Sequence, residues 1–442
     1  MKRAGILIGL SVAAVGATVV PSMGSTMTSH QSTSQAAAAD YIVVLKDTAK
    51  ASPTSVAKDI SGVDVGSVFR AGLKGFSAKL TPEALAALRD SPLVDYIERD
   101  SVSRQTPVPG GKVKSAAGQQ LPTGVKRIRA TENKNLKIGD GVEQKVDVDV
   151  AVLDTGIDRN HPDLNVVKTV DCGKSGKCVE GPAEDKDGHG TNVAGIIGGR
   201  DNKTGFVGVA PGARLWGLKI LKDDGSGSSS DLIAALDWVT ARADKIEVAN
   251  ISAGYHNDRA VKDAVERAVA KGIVVVVSAG NERKDVKNAY YGTPADVPDA
   301  ITVSAISDGD GKPGGKGSFG WCNQKNRNKD DSLWINYSGG NDKGSDFGRG
   351  VDIAAPGDCI QSTGTGGGTS NYSGTSQASP HVAGAAAWLA IAHNPKNRTD
   401  VMAIRDKLVK AGNRDWSDNS NDGIKEPLLD LHDSKVFTGG TR

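Results

Sequence analysis

The chain has 442 residues, with 54 Lys+Arg against 52 Asp+Glu, a formal net charge of +2, 55 glycines and only 4% aromatics. The near-neutral balance and the absence of a basic block exclude an electrostatic footprint for nucleic acid. This length predicts two or three units with ample surface for a core, and the Gly-rich, aromatic-poor composition is that of α/β enzymes rather than disordered chains.

Met1-Lys2-Arg3 and the uncharged run 4–20 read as the n- and h-regions of a signal peptide, slightly short for a membrane span. Small-residue cleavage sites can be written at Ser22-Met23-Gly24 or within the alanines at 36–39, so residues 1–39 are assigned to the signal segment. Cleavage makes the protein secreted. Retention of the segment, the alternative, makes it membrane-anchored and facing outside.

Residues 40–100 carry short alternating runs at 41–45, 75–80 and 94–98, split by helix-like segments. Thr81-Pro82-Glu83 is a helix start, with an N-cap hydroxyl, proline at N1 and an acid in the first turn. Two helices among about four strands predict a small α+β unit. Residues 101–120, with Pro107, Pro109 and no periodicity, read as a protease-accessible linker containing a processing site.

From residue 121 to 442, strand and helix patterns alternate. Val146, Val148, Val150 and Val152 alternate with polar residues and run into Leu153; helical spacing covers 231–243 and 258–270, and short apolar runs occupy 248–251 and 273–277. The expected fold class is therefore α/β, a mostly parallel sheet with helices on both faces. Residues 309–317 and 363–369 read as Gly-rich surface loops, and there are no repeats or heptads.

Four cysteines allow three disulfide connectivities. Locality in sequence favours Cys172 with Cys178 and Cys322 with Cys359. A Cys/His zinc site is the rival reading, but the chain contains no CxxC pair and no HExxH helix.

Three polar groups stand at ends of predicted elements, where an open α/β sheet places its active site. Asp154 follows the strand ending at Leu153. His189, in Asp187-Gly188-His189-Gly190-Thr191, begins an apolar helix. Ser376, in Gly374-Thr375-Ser376-Gln377-Ala378-Ser379-Pro380-His381, begins an Ala-rich one. Taken singly these are a turn acid, a loop histidine and an N-cap serine. Together they are what nucleophilic catalysis needs: a hydroxyl, a base to take its proton, and a carboxylate to fix the base.

Their local contexts resemble the subtilases, the subtilisin-like serine peptidases, across about residues 121–438. Val152-Leu153-Asp154-Thr155-Gly156-Ile157-Asp158, Asp187-Gly188-His189-Gly190-Thr191 and Gly374-Thr375-Ser376 match the aspartate, histidine and serine motifs in the family's order. The resemblance implies a subtilisin-like fold and a serine endopeptidase, acting on protein or peptide substrates through an acyl-enzyme, that needs no cofactor for its chemistry. It also implies that Asn281, in Ser278-Ala279-Gly280-Asn281, is an oxyanion donor. Ser252, Ala253 and Gly254 resemble the substrate-binding strand. Glu282 either favours basic side chains in the substrate or is a solvated acid.

The resemblance further implies a structural calcium, with Asp163 and the Asn202 side chain joined by carbonyls of Arg200, Thr204 and Phe206; a solvated turn is the alternative. Residues 40–100 resemble, more loosely, the family's inhibitory ferredoxin-like pro-domain, through Tyr41-Ile42-Val43-Val44-Leu45 and Tyr96-Ile97-Glu98. The pro-domain is then an intramolecular inhibitor, and self-cleavage is expected between about residues 100 and 120. Other readings are a catalytically silent peptide-binding protein and a membrane-tethered processing protease.

Asn192 replaces a second histidine of the family motif, and Gln377 stands where many relatives carry methionine. Methionine beside a nucleophile oxidises to a polar sulfoxide that disturbs the site. We therefore expect the enzyme to keep most of its activity through peroxide treatment. The check is residual activity against time in peroxide, with circular dichroism to confirm that the fold survives; rapid loss in a folded protein refutes it.

Overall fold

The structure is a computed structural model that describes residues 37–104, 108–112, 118–173, 177–319, 328–336 and 343–440. The expected signal segment lies outside the described residues except at its last few positions. Among the described residues, no helix is long and apolar enough to cross a membrane.

The first described unit runs β1 (Ala39–Leu45), α1 (Pro53–Lys58), β2 (Val63–Phe69), β3 (Gly75–Leu80), α2 (Pro82–Arg89) and β4 (Val94–Arg99). The strands form an antiparallel sheet in the order β2-β3-β1-β4. The predicted helix start holds, since the Thr81 hydroxyl accepts from Ala84 N at 3.2 Å. Alternation along β1 gives the sheet two buried faces. Val43 and Leu45 pack with Phe76, Leu80 and Leu88 under the unit's own helices. Ile42 and Val44, with Phe69 and Leu73, join the core of the larger unit.

The larger unit opens, after β5 (Val102–Arg104) and β6 (Val108–Lys112), with α3 (Thr123–Arg127) and a 3-10 turn at Ala130–Glu132. It continues through β7 (Asp149–Asp154), β8 (Val166–Asp171), β9 (Val179–Glu180), α4 (His189–Gly198), β10 (Arg214–Lys219), β11 (Ser226–Ser228), α5 (Ser229–Thr240), β12 (Val248–Ile251), α6 (Arg259–Ala270), β13 (Val274–Ser278) and β14 (Ile301–Ser307). The last part comprises β15 (Ser332–Leu333), β16 (Ile335–Asn336), β17 (Lys343–Gly344), β18 (Ile353–Pro356), β19 (Ile360–Gly364), β20 (Gly368–Ser373), α7 (Thr375–His393) and α8 (Arg398–Ala411).

The central sheet has the order β15-β14-β13-β12-β7-β10-β8-β9, with β18 also on β14. Its pairings are parallel except at β14–β15 and β8–β9. The valine run of β13 and all of β7 and β12 are buried, as strands covered by helices on both faces must be. Chain order reverses at β7, with β12 on one side and β10 on the other, so the crevice for a site opens at the carboxyl ends of these strands.

Two stretches differ from expectation. Residues 363–369 form the tip of the β19–β20 hairpin rather than a loose loop, with Gly366 and Gly367 at φ +72° and +69° supplying the turn. The segment expected as a linker contributes β5 and β6, which pair antiparallel with β11 and β20 respectively. These strands form because exposed edges of the larger unit offer them partners, a cause that local periodicity does not carry.

The small unit is held by carboxylates on backbone N–H groups. Asp237 Oδ1 on α5 accepts from the N–H of Arg70, Ala71 and Gly72 at 2.8, 2.6 and 2.7 Å. Conversely, Asp100 accepts from Ser230 N at the start of α5, and Glu98 from Arg259 N and Ala260 N at the start of α6. At the starts of α5 and α6, unsatisfied N–H donors and the positive dipole end favour these carboxyl groups.

Candidate active site

Asp154 ends β7 and His189 begins α4. Their side chains are fully buried, with His189 Nδ1 2.8 Å from Asp154 Oδ1. Burial alone would lower the histidine's pKa, but the charge and hydrogen bond of Asp154, helped by Asp187 and Asp185, carry it above the usual value. The backbone around the pair is fixed by Asp185, whose carboxylate accepts from Thr155 Oγ1, Gly188 N, Thr191 N and Thr191 Oγ1. Gly190 lets α4 approach β7 this closely, since a Cβ there would lie 2.1 Å from Gly156 O. The Tyr372 ring meets the His189 ring edge-on, with centroids 5.6 Å apart.

Ser376 is the second residue of α7, behind Gly374 at φ +151°. Its hydroxyl donates to Ser252 O at 3.4 Å. The helix starts bearing His189 and Ser376 face each other, for Asn192, one turn into α4, accepts from Gln377 Nε2 at 3.5 Å. Asn192 in turn donates to Ser370 Oγ at 3.1 Å, so the two departures from the family motif meet each other. Asn281 Oδ1 accepts from Thr375 N and Thr375 Oγ1 at 3.0 and 2.9 Å, which fixes the amide and commits its nitrogen to donation beside Ser376.

The Ser252 side chain donates to Ser376 O at 3.1 Å and so ties the cleft strand to α7, while Gly254 O accepts from Ser103 Oγ at 2.9 Å. Sequence reading missed the other side of this cleft: Ser226–Ser228, inside a Gly/Ser run, carries β5 as an antiparallel neighbour. Nothing in that run marks a strand until a partner supplies its hydrogen bonds.

The expected metal residues converge. Asp163 accepts from Phe206 N at 2.9 Å and Asn202 Nδ2 at 3.3 Å, and burial pushes its carboxyl up to about 7. Asn202 Oδ1 takes the N–H and hydroxyl of Thr204. The Arg200 guanidinium is drawn outward to Glu143 at 3.0 Å and also donates to Leu164 O. An oxygen-liganded cation would relieve the buried carboxylate, and holding it requires the Asn202 amide to turn over. A separate acidic group, Asp308, Asp310 and Asp330, has carboxylate oxygens within 4.8 Å of one another, with the Arg127 cation 3.9 Å from Asp308. Cys172 and Cys178 form a disulfide, and Cys359 is disulfide-bonded; Cys322 lies outside the described residues.

A buried Asp–His pair beside a serine at a helix N-terminus, at the carboxyl edge of an α/β sheet, defines the serine peptidase class. Residues 145–425 match the Subtilase family and residues 40–105 match Peptidase inhibitor I9. The chain is 33% identical over 372 residues to Subtilisin NAT of Bacillus subtilis subsp. natto, covering 83% of this chain and 84% of that protein. It is 35% identical over 367 residues to Alkaline protease of Alkalihalobacillus alcalophilus, covering 82% and 76% respectively. The crystal structure of a cold adapted subtilisin-like serine proteinase superposes with a TM-score of 0.50 at 30% identity, over 64% of this chain and 88% of that one. The chain belongs to the subtilase family, as a subtilisin-like serine endopeptidase preceded by an I9-type inhibitory pro-domain.

One buried group makes this site's scaffold acid-sensitive. His381, one turn after Gln377, has Nδ1 2.8 Å from Gln377 O, and its Nε2 packs where a Cβ on Gly124 would sit 2.3 Å away. Burial pushes its pKa down to about 4 from 6.5. The unfolded chain therefore binds more protons between these values, so stability is intact above pH 6.5 and falls as pH drops toward 4. The loss is on the order of 3 kcal/mol. Urea midpoints of a Ser376→Ala protein at pH 7 and pH 4.5 should show a large drop that shrinks when His381→Gln is added; an unchanged drop refutes it.

Proposed function

We propose that the protein is exported as a pre-pro-enzyme that cleaves itself and then hydrolyses peptide bonds with broad specificity. His189 takes the proton of Ser376 as its Oγ attacks the carbonyl carbon, and Asp154 holds the imidazole and stabilises its charge. The oxyanion is received by Asn281 Nδ2 and the Ser376 N–H, a kind of donor whose loss typically costs 10²–10³ in kcat. His189 then returns its proton to the leaving amine, and water, deprotonated by the same histidine, hydrolyses the acyl-enzyme.

One observation carries this reading: the two strands that flank the expected processing point, β5 and β6, pair with strands on both sides of Ser376. Strand β5 pairs with β11 before it, and β6 pairs with β20, the strand that leads directly into Ser376. Backbone pairing of this kind accepts many side chains, which supports broad specificity. It also narrows self-cleavage to the peptide bonds between Arg104 and Val108. Residues 40–104 then act as the departing inhibitor, and the mature enzyme is the remainder. Export is supported by the leading segment and the disulfides.

Purified wild type beside Ser376→Ala tests it by intact mass and N-terminal sequencing. We expect wild type to begin between residues 105 and 108 and the variant to stay unprocessed there. Equal trimming of both, or labelling of neither wild type nor variant by a serine-reactive probe, overturns the reading.

A structural calcium at Asp163 completes the proposal. In the Ser376→Ala protein, calcium restored after chelation should raise Tm, with a gain of about 2.7 kcal/mol at 100 times Kd. Asp163→Ala should abolish the gain, and a Tm that ignores calcium refutes the site.

A further inference from the structure

Beside Ser376 lies a narrow cavity of about 30 Å³, lined among others by Gly254, Gly280, Glu282, Tyr291 and Asp346. At the two glycines there is no room for a side chain. A Cβ on Gly254 would lie 2.6 Å from Tyr291 O, and one on Gly280, at φ +112°, would lie 2.2 Å from Asp346 Oδ2. Positioned at the nucleophile, this cavity takes the substrate side chain on the acyl side of the scissile bond. Gly280 therefore brings that side chain within reach of a carboxylate.

Asp346 is fully buried. Oδ1 accepts from Glu282 N and Lys284 N at 3.0 and 2.8 Å, whereas Oδ2, also buried, has no hydrogen-bond partner among the described residues. The charged groups facing it do not compensate. Glu282 is a second acid, and Lys284 Nζ is 3.3 Å from Glu282 Oε2, so its cation is already engaged. Glu282 Oε2 also accepts from Tyr290 N at 2.8 Å, which makes Glu282 the occupied acid of the two. Burial, reinforced by the charge of Glu282, holds the Asp346 carboxyl up at about 7. An unmatched buried carboxylate oxygen costs stability unless a donor arrives to meet it.

We propose that Asp346 is a specificity-determining residue of this enzyme, accepting a hydrogen bond through Oδ2 from a lysine or arginine side chain on the acyl side of the scissile bond. The inference rests on the proposed function and narrows it: backbone pairing stays permissive along the cleft, while this one position selects a cation.

The test compares kcat/KM of the processed enzyme, at pH 8.5, on peptide anilides that differ only in carrying lysine, arginine, norleucine or glutamate at that position. Wild type should favour lysine or arginine over norleucine by roughly 10–100-fold, the worth of a charge-assisted hydrogen bond. Asp346→Asn, which keeps an oxygen for Glu282 N and Lys284 N, should erase most of that ratio while norleucine hydrolysis changes little. A wild type that shows no such preference overturns the inference, whether or not the variant folds. So does a variant that loses all substrates equally. An enzyme that cleaves none of the peptides and takes no serine-reactive probe fails the catalytic reading itself, which is a separate outcome.

Discussion

The interaction on which the rest depends is the fully buried contact between Asp154 and His189. A carboxylate removed from water is expensive unless its oxygens meet donors and an opposite charge. Here the donor is an imidazole whose own burial opposes charging, offset chiefly by Asp154, while Asp154 also accepts from Thr155 N at 2.7 Å. The pair must be held in register by backbone that cannot drift. That explains the four donors gathered by Asp185, the glycine at 190, and the position of Asp154 at the end of a strand buried on both faces. The sheet supplies rigidity and the helix starts supply direction.

From that fixed point the cleft is built of edges rather than pockets. Strands β11 and β20 expose backbone donors and acceptors on either side of Ser376, and in this chain they are satisfied by β5 and β6, which flank the proposed cleavage point. An open strand edge invites any extended peptide. A covalently attached segment covers it here, which fits an intramolecular inhibitor. On the proposed self-cleavage, the same pairing presents the bond to be cut, so inhibitor and first substrate are one segment.

Much of this was legible in the sequence because catalytic residues must sit at the ends of elements, and element ends carry strong local signals. Asp154 after alternating valines, His189 and Ser376 after glycines at helix starts, and Thr81 before Pro82 were all readable one segment at a time. What was not legible depends on pairing across distance. Residues 102–104 and 226–228 have no periodicity of their own and become strands only against each other, and 108–112 only against β20. Asp346 is an unremarked acid in a Gly-rich stretch until the fold sets it under Gly280. Asn192 and Gln377, far apart in the chain, are substitutions whose mutual contact only the packing of α4 on α7 reveals.

The hold of the pro-domain follows the same logic as the site. Asp100 and Glu98 reach the N-termini of α5 and α6, while Asp237 on α5 reaches back to three N–H groups of residues 70–72. Carboxylates on backbone donors depend little on the partner's side chains, and they add to the side-chain pair Tyr96–Asp263 and the apolar packing of Ile42 and Val44. It also has a direction in pH. Burial, together with the neighbouring Asp258, raises Glu98 to about 8, and burial raises Asp100 to about 6. Groups raised in the bound state contribute most below their free values and lose that contribution as pH rises through the bound ones. After the proposed self-cleavage, these carboxylates help retain the inhibitor alongside the β5–β11 pairing, the Tyr96–Asp263 hydrogen bond and the apolar face of β1. The carboxylates among them weaken on the alkaline side, where His189 is in the neutral form that can accept the proton of Ser376.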